Sequence, residues 1–381
     1  MLIYHPHFPK FTPFILTRQP PGQQKICPCA AGAGGFAAGC FSRKMGVFPD
    51  FSAMKLTLAL PALFRPADDA PPLPELPAFN QILRYGRVAH LPRRPSEFYA
   101  RHLWRGSLLA HAKAFAGLPP EQPAAFASPV WQQMGMHQAS IVGGEYLHID
   151  AEEAARLCTE LSAFYREDGW TFHVVRPDLW LLAKPSESDW QVAPLPDVCG
   201  QVGSSAQACG ADALEWLAKQ TEIQMWLHAH PVNQTRAAQG LPALNGLWLW
   251  QDATGEQTAD WVAASSPWAQ FAEGEKIDAP YNFAALLAHI EETARPVSEA
   301  VVWLDDLAAT VHMGDVSAYC DILESWETHW FAPLLGALRT GRVRQLAVET
   351  DGEQGGSLVL TRRSLRAFWK KRRVFRGTGW A

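Results

Sequence analysis

The sequence predicts an α/β fold: a mixed sheet flanked by helices, with a smaller α+β unit inserted into it. Three observations carry that expectation. From Met54 onward, short apolar runs alternate with amphipathic stretches, the pattern of strands and helices taken in turn. GLWLW (246–250) and AVVWL (300–304) are continuous apolar runs, the signature of strands covered on both faces. A chain of 381 residues that is 48% hydrophobic can also bury a large core, as one big domain or two moderate ones.

Residues 1–53 stand apart, with scattered Pro and a Gly/Ala/Cys patch that keeps no period, and are expected to lie outside the fold as an extension before a start at Met54. MKLTLALPALF then reads as the first buried strand. A short secretory signal with Lys55 as its basic region is the alternative, weakened by Pro61 inside the apolar run. Leu76–Tyr85 reads as a helix ended by Gly86, and Ser96–Ala116 as another, closed by Gly117 and Pro119.

The expected insertion spans 128–204, between core segments 54–127 and 205–381. In it Asp150 caps a helix with Glu152 and Glu153 in its first turn, where negative charge suits the helix dipole. WTFHVV and LWLLA follow as two strands joined around Pro177 and Asp178. Beyond a Pro/Gly/Ser-rich loop (194–210), Asp212 caps a helix that must stop near Ala229, because Pro231 disfavours helical geometry at His230. Asn233–Gln239 forms a further turn of helix stopped by Gly240 and Pro242. Asp315 or Ser317 opens a helix presenting Tyr319, Leu323, Trp326 and Trp330 to the core; Pro333 restarts it and Gly341 ends it. VRQLAVETD and SLVLTRR close the sheet.

The composition also excludes. The seven cysteines lack paired spacing, so reduced thiols in the cytoplasm are expected, and the C-P-C of Cys27 and Cys29 has no second pair to complete a zinc site. No run approaches the roughly 18 apolar residues of a membrane span. A net charge of −5 gives no footprint for nucleic acid. The basic tail AFWKKRRVFR, with Lys370, Lys371, Arg372, Arg373 and Arg376, reads as a solvated end, with an anion or nucleic-acid contact as the alternative. A protein partner is left open, and an interaction scaffold with this basic tail as its contact is a further reading.

One segment concentrates polar groups directly before a buried strand: His228, His230, Asn233, Arg236 and Asn245 around the helix-to-helix junction HPVNQTRAAQG. His228 and His230 diverge by about 200° on a helix, which separates them as metal ligands. A junction of this kind leaves backbone N–H groups open, and a guanidinium beside them makes an anion site. The same residues also serve a purely structural reading, in which Pro231 ends one helix, Asn233 caps the next and Arg236 faces solvent.

HPVN followed by Arg236, Gly240, Asn245 and the Trp strand resembles the central motif of archaeal-type cofactor-independent phosphoglycerate mutases, within the alkaline-phosphatase superfamily. The order of the inserted helix and strands is similar as well, and the chain from Met54 resembles the bacterial RpfE-type regulatory proteins of that set. The resemblance implies an alkaline-phosphatase-like mixed sheet with an inserted cap, two divalent metals such as manganese, and a Ser nucleophile. The ligand set it implies is incomplete. MKLTLALPAL has no acid before Asp68, and the nucleophile segment is PSEFYARHL, with Ser96 loosely placed. In AATVHMGDVSAY, His312, Gly314 and Asp315 match, whereas Ala308 and Tyr319 replace an Asp and a Lys; Asp305 and Asp306 lie further back. Asp351 in ETDG lacks its His, and Gln251 replaces a Gly after the Trp strand. Two dications need some six or more donors. The resemblance therefore implies a degenerate relative with Asp305, Asp306, His312 and Asp315 as remnants of a metal site. It assigns no catalytic residue, no bound metal and no cofactor, and implies a regulatory role or the binding of a small phosphorylated or carboxylated ligand at the HPVN junction. Manganese or another divalent ion in an altered mutase or phosphatase is the alternative.

Overall fold

The computed structural model describes residues 54–65, 73–134, 139–200, 208–293 and 297–380. The expectation for residues 1–53 falls outside them, as does Asp68.

The main sheet has seven strands, ordered Glu275–Ile277, Trp261–Ala264, Glu299–Trp303, Lys55–Ala59, Gln345–Thr350, Gly356–Thr361 and Arg87–His90. The first five run parallel and the last two join antiparallel, so the sheet is mixed, as the sequence predicts. Side chains alternate across it. Leu56, Leu58, Ala300 and Val302 enter one core beneath the helices Pro77–Tyr85, Phe283–Glu292, Val316–Trp326 and Ala332–Thr340, while Ala59, Val301 and Trp303 enter another with Phe98 and Leu103. Burial on both faces is why these strands read as unbroken apolar runs.

A second, antiparallel sheet is built on the long strand Ala124–Met134. Leu179–Ala183 and Ala139–Gly143 pair with it on one edge and Gly246–Trp250 on the other, and Thr171–Arg176 extends the sheet beyond Leu179–Ala183. GLWLW is thus a buried strand, but of this sheet, and its material reaches beyond the 128–204 expected for the insertion on both sides. The helix Ala151–Phe164 packs on it, with Asp150 accepting from the Glu153 N–H as expected.

Two local expectations need correction. The single helix 96–116 is two, Pro95–Leu103 and Leu108–Ala116, parted by the strand Arg105–Ser107. Gly106 at φ +72° turns the chain there, and Ser107 caps the second helix by accepting from Ala110 N–H. Trp104 leaves so little room beside its strand's partner that a Cβ at Gly255 would lie 2.2 Å from the Trp104 carbonyl oxygen. The helix after the HPVN turn starts at Pro231, with His230 as its cap in place of Asn233. Pro suits that first position because no N–H is needed there.

Candidate functional site

The HPVN junction holds itself together. The Asn233 amide donates to the carbonyls of Leu227 and Leu244, both at 2.8 Å, and its oxygen accepts from the Leu244 N–H at 2.8 Å. One side chain therefore clamps the end of one helix to the entry of the buried strand. Asn245 does the same for the neighbouring strand: its Oδ1 accepts from Gln132 N–H at 2.6 Å and its Nδ2 donates to Gln132 O at 2.8 Å.

Arg236 is 1% exposed, not solvent-facing. Its guanidinium donates to Pro242 O at 2.7 Å, to Glu153 Oε2 at 2.7 Å and to Leu147 O. The anion-clamp role expected for it is therefore corrected. The charge is already met by Glu153 inside a sealed site, because a buried guanidinium must be paired where it sits.

His230 is buried against the Trp226 ring. Its Nδ1 accepts from Val232 N–H at 3.2 Å, which leaves the ring proton on Nε2, 2.6 Å from Glu160 Oε2. His228 is exposed on the preceding helix. The structure thus brings His230, Asn233, Arg236 and Asn245 to one junction and sets His228 apart, and the four buried or half-buried members bond to the protein itself.

A different cluster lies at the carboxyl ends of the parallel strands, where open α/β sheets place their ligands. After Lys55–Ala59 the chain turns through Ala62 at φ +56°, and its N–H donates to Asp351 Oδ1 at 2.7 Å. Burial pushes the Asp351 carboxyl above its ordinary range. Asp305 follows Glu299–Trp303; it accepts from the Trp303 ring N–H at 3.2 Å, and burial, with the charge of Asp306 beside it, raises it to about 6. Tyr99, edge-on to Trp303 at 4.7 Å, is raised by burial and by the charges of both Asp305 and Asp351.

Ser96, in the first turn of Pro95–Leu103, completes this edge. Its backbone N–H and its Oγ–H donate to the two oxygens of Asp197, each at 2.7 Å, and both residues are buried. Burial holds Asp197 above its ordinary range against these bonds and against Arg94 at 3.6 Å. One helical turn on, Arg101 donates to Glu349 at 3.0 Å, with the His102 ring nitrogen 3.3 Å from the same oxygen. Burial lowers the His102 imidazole against the opposing pull of Glu349. Burial works to raise Glu349, but His102 and Arg101 outweigh it and hold the carboxyl at about 2.

Of the residues expected as remnants of a metal site, the side chains of Asp305, Asp306 and Asp315 are described. Asp305 and Asp306 straddle the start of the helix Asp306–Met313, Asp306 exposed. Asp315 caps Val316–Trp326 by accepting from Ala318 N–H at 3.0 Å. The His312 side chain lies outside the described residues. Among the described residues no three His, Cys, Asp or Glu side chains are placed to hold one ion. Asp305 and Asp315 each accept from a donor of the chain itself, the Trp303 ring N–H and the Ala318 N–H.

No protein-family model and no curated protein matches the sequence. Solved structures similar to this chain include the cofactor-independent phosphoglycerate mutase from Thermoplasma acidophilum DSM 1728, at 15% identity over 81% of this chain and 90% of that one, with a TM-score of 0.39. Another is the PH0037 protein from Pyrococcus horikoshii, at 12% identity over 82% and 87%, with a TM-score of 0.45. Neither likeness assigns an activity.

Sequence reasoning missed Asp197, Tyr99 and the Arg101–Glu349 pair. Glu349 left a readable signal: a carboxylate inside the apolar run LAVET must be paired if that run is a buried strand. Asp197, in a Pro-rich loop, left none.

Proposed function

We propose that this chain is a catalytically degenerate, cytoplasmic relative of the cofactor-independent phosphoglycerate mutases, working by binding or regulation in place of phosphoryl transfer. The observation that supports it most is the engagement of the carboxylates at the sheet's carboxyl edge. Asp351 is bonded to the Ala62 N–H, Asp197 to Ser96, Asp305 to the Trp303 ring and Asp315 to its own helix. Asp197 spends both oxygens on donors of the chain itself and each of the others spends one, whereas a pair of dications needs several such groups facing inward together.

One observation favours the alternative, an enzyme of altered chemistry: the Ser96 hydroxyl is hydrogen-bonded to a carboxylate at a helix N-terminus, an arrangement that can activate a nucleophile. Isothermal titration of the protein with manganese, then with 3-phosphoglycerate, separates the two. We expect no micromolar manganese binding, and any 3-phosphoglycerate heat to be independent of the metal. Micromolar manganese binding that 3-phosphoglycerate strengthens, with phosphatase activity lost in Ser96→Ala, sinks the degenerate reading.

A further inference from the structure

The end of the chain carries a surface that neither core uses. After Glu353 the sequence holds no Asp or Glu, yet it has eight cations: Arg362, Arg363, Arg366, Lys370, Lys371, Arg372, Arg373 and Arg376. On a chain of net charge −5 this is a local reversal of sign. None of the eight takes part in an ion pair among the described residues.

Apolar side chains stand out among these charges. Phe368 is 78% exposed, Trp369 72% and Val374 61%. Large aromatics are ordinarily among the more buried residues, so two adjacent ones and a Val in water mark an interaction surface.

The segment is not a loose tail. Lys370 Nζ donates to the carbonyls of Tyr85 and Gly86 at 3.0 and 3.1 Å, capping the helix Pro77–Tyr85 at its negative end. Arg84 donates back to the carbonyls of Lys370 and Phe368 at 2.8 and 2.6 Å. On the far side Phe375 is buried edge-on to Phe79, and its N–H donates to Asn80 at 2.7 Å. Clamped at both ends, the loop presents Phe368, Trp369, Lys371, Arg372, Arg373 and Val374 in a fixed arrangement.

We propose that this loop docks the protein peripherally on an anionic lipid bilayer. The three apolar side chains would enter the headgroup layer and the surrounding cations would meet lipid phosphates. Trp and Phe beside Lys and Arg is the composition suited to a membrane–water interface, and an anionic leaflet attracts clustered basic residues. The absence of a spanning helix among the described residues concerns a different mode of attachment. Single-stranded nucleic acid is the competing polyanion, and it binds by stacking bases on open aromatic faces. Here Phe368 and Trp369 meet edge-to-face, centroids 5.3 Å apart and planes at 80°, and Val374 offers a base no stacking partner. The observations favour lipid.

The test is co-sedimentation of the full chain with phosphatidylcholine vesicles, with mixed phosphatidylcholine–phosphatidylglycerol vesicles, and, in parallel, titration with a labelled single-stranded oligonucleotide. Binding to the mixed vesicles alone is expected, weakening as salt screens the charges. Lys371→Glu/Arg372→Glu/Arg373→Glu should weaken it by about tenfold or more. Phe368→Ser/Trp369→Ser should weaken it while leaving the melting curve in place, because both side chains are exposed. Binding to the oligonucleotide but not to mixed vesicles, no sedimentation with either vesicle, or vesicle binding unchanged in both variants would each overturn the proposal.

Discussion

Replacing Arg236 by Ala is expected to lower the free energy of unfolding by roughly 3–5 kcal/mol, read by urea denaturation at neutral pH. The size follows from what is left behind. Glu153, bonded to the guanidinium at 2.7 Å and itself only 12% exposed, becomes a buried carboxylate without its counter-charge, and the carbonyls of Leu147 and Pro242 lose a donor. Arg236→Lys should recover little, because an ammonium cannot reach three acceptors in the planar fork that the guanidinium supplies. Arg236→Met with Glu153→Leu should recover part of the loss, since removing both charges removes the unpaired one. A loss below about 1 kcal/mol in Arg236→Ala would show that the guanidinium is not a structural clamp and would return it to the list of ligand contacts.

Asp305→Asn is expected to stabilise the protein at neutral pH by on the order of 2 kcal/mol. With its carboxyl raised to about 6, the folded state prefers Asp305 protonated, whereas the unfolded chain ionises it near the ordinary value. Below about pH 4 both states hold the proton and Asp305 has no effect on stability; between about 4 and 6 only the unfolded state ionises, so the wild type loses stability as pH rises; above about 6 the loss is constant. The difference between variant and wild type should therefore grow across that window and then level off. Asn retains an oxygen to accept from the Trp303 ring N–H, so the structural bond survives the substitution. A difference that stays flat with pH, or an Asn variant that is less stable at neutral pH, would contradict the burial of Asp305 beside the charge of Asp306.

Much of the fold could be read locally. The strands Gly246–Trp250 and Glu299–Trp303 announced themselves as apolar runs, and the helix after Asp150 by its cap and acidic first turn, because each of these signals acts within a few residues. The break between Leu103 and Leu108 was not legible: it depends on Gly106 and on the close approach of Gly255 to Trp104, a contact between segments some 150 residues apart. The membership of GLWLW in the second sheet was hidden for the same reason, since a strand's own residues do not say which strand it pairs with.

The candidate site divides likewise. The polar groups of the HPVN segment were visible as a concentration, but their direction was not: whether Arg236 faces water or Glu153 depends on a helix more than eighty residues upstream. The carboxylates Asp305 and Asp351 follow the ends of two parallel strands far apart in sequence, and only the topology of the sheet brings those ends to one edge; the Ser96–Asp197 bond likewise joins segments about a hundred residues apart.

The central claim is that the carboxylates of this edge are committed to the chain's own donors and do not gather a pair of dications. Crystals of the protein soaked in manganese and phosphate, with anomalous difference maps calculated at the manganese edge, test it directly. The account predicts no ordered manganese beside Asp305 or Asp351 and the Ser96–Asp197 hydrogen bond intact. Two anomalous peaks about 3.5–4 Å apart beside those carboxylates, with Ser96 Oγ turned toward them, would contradict it.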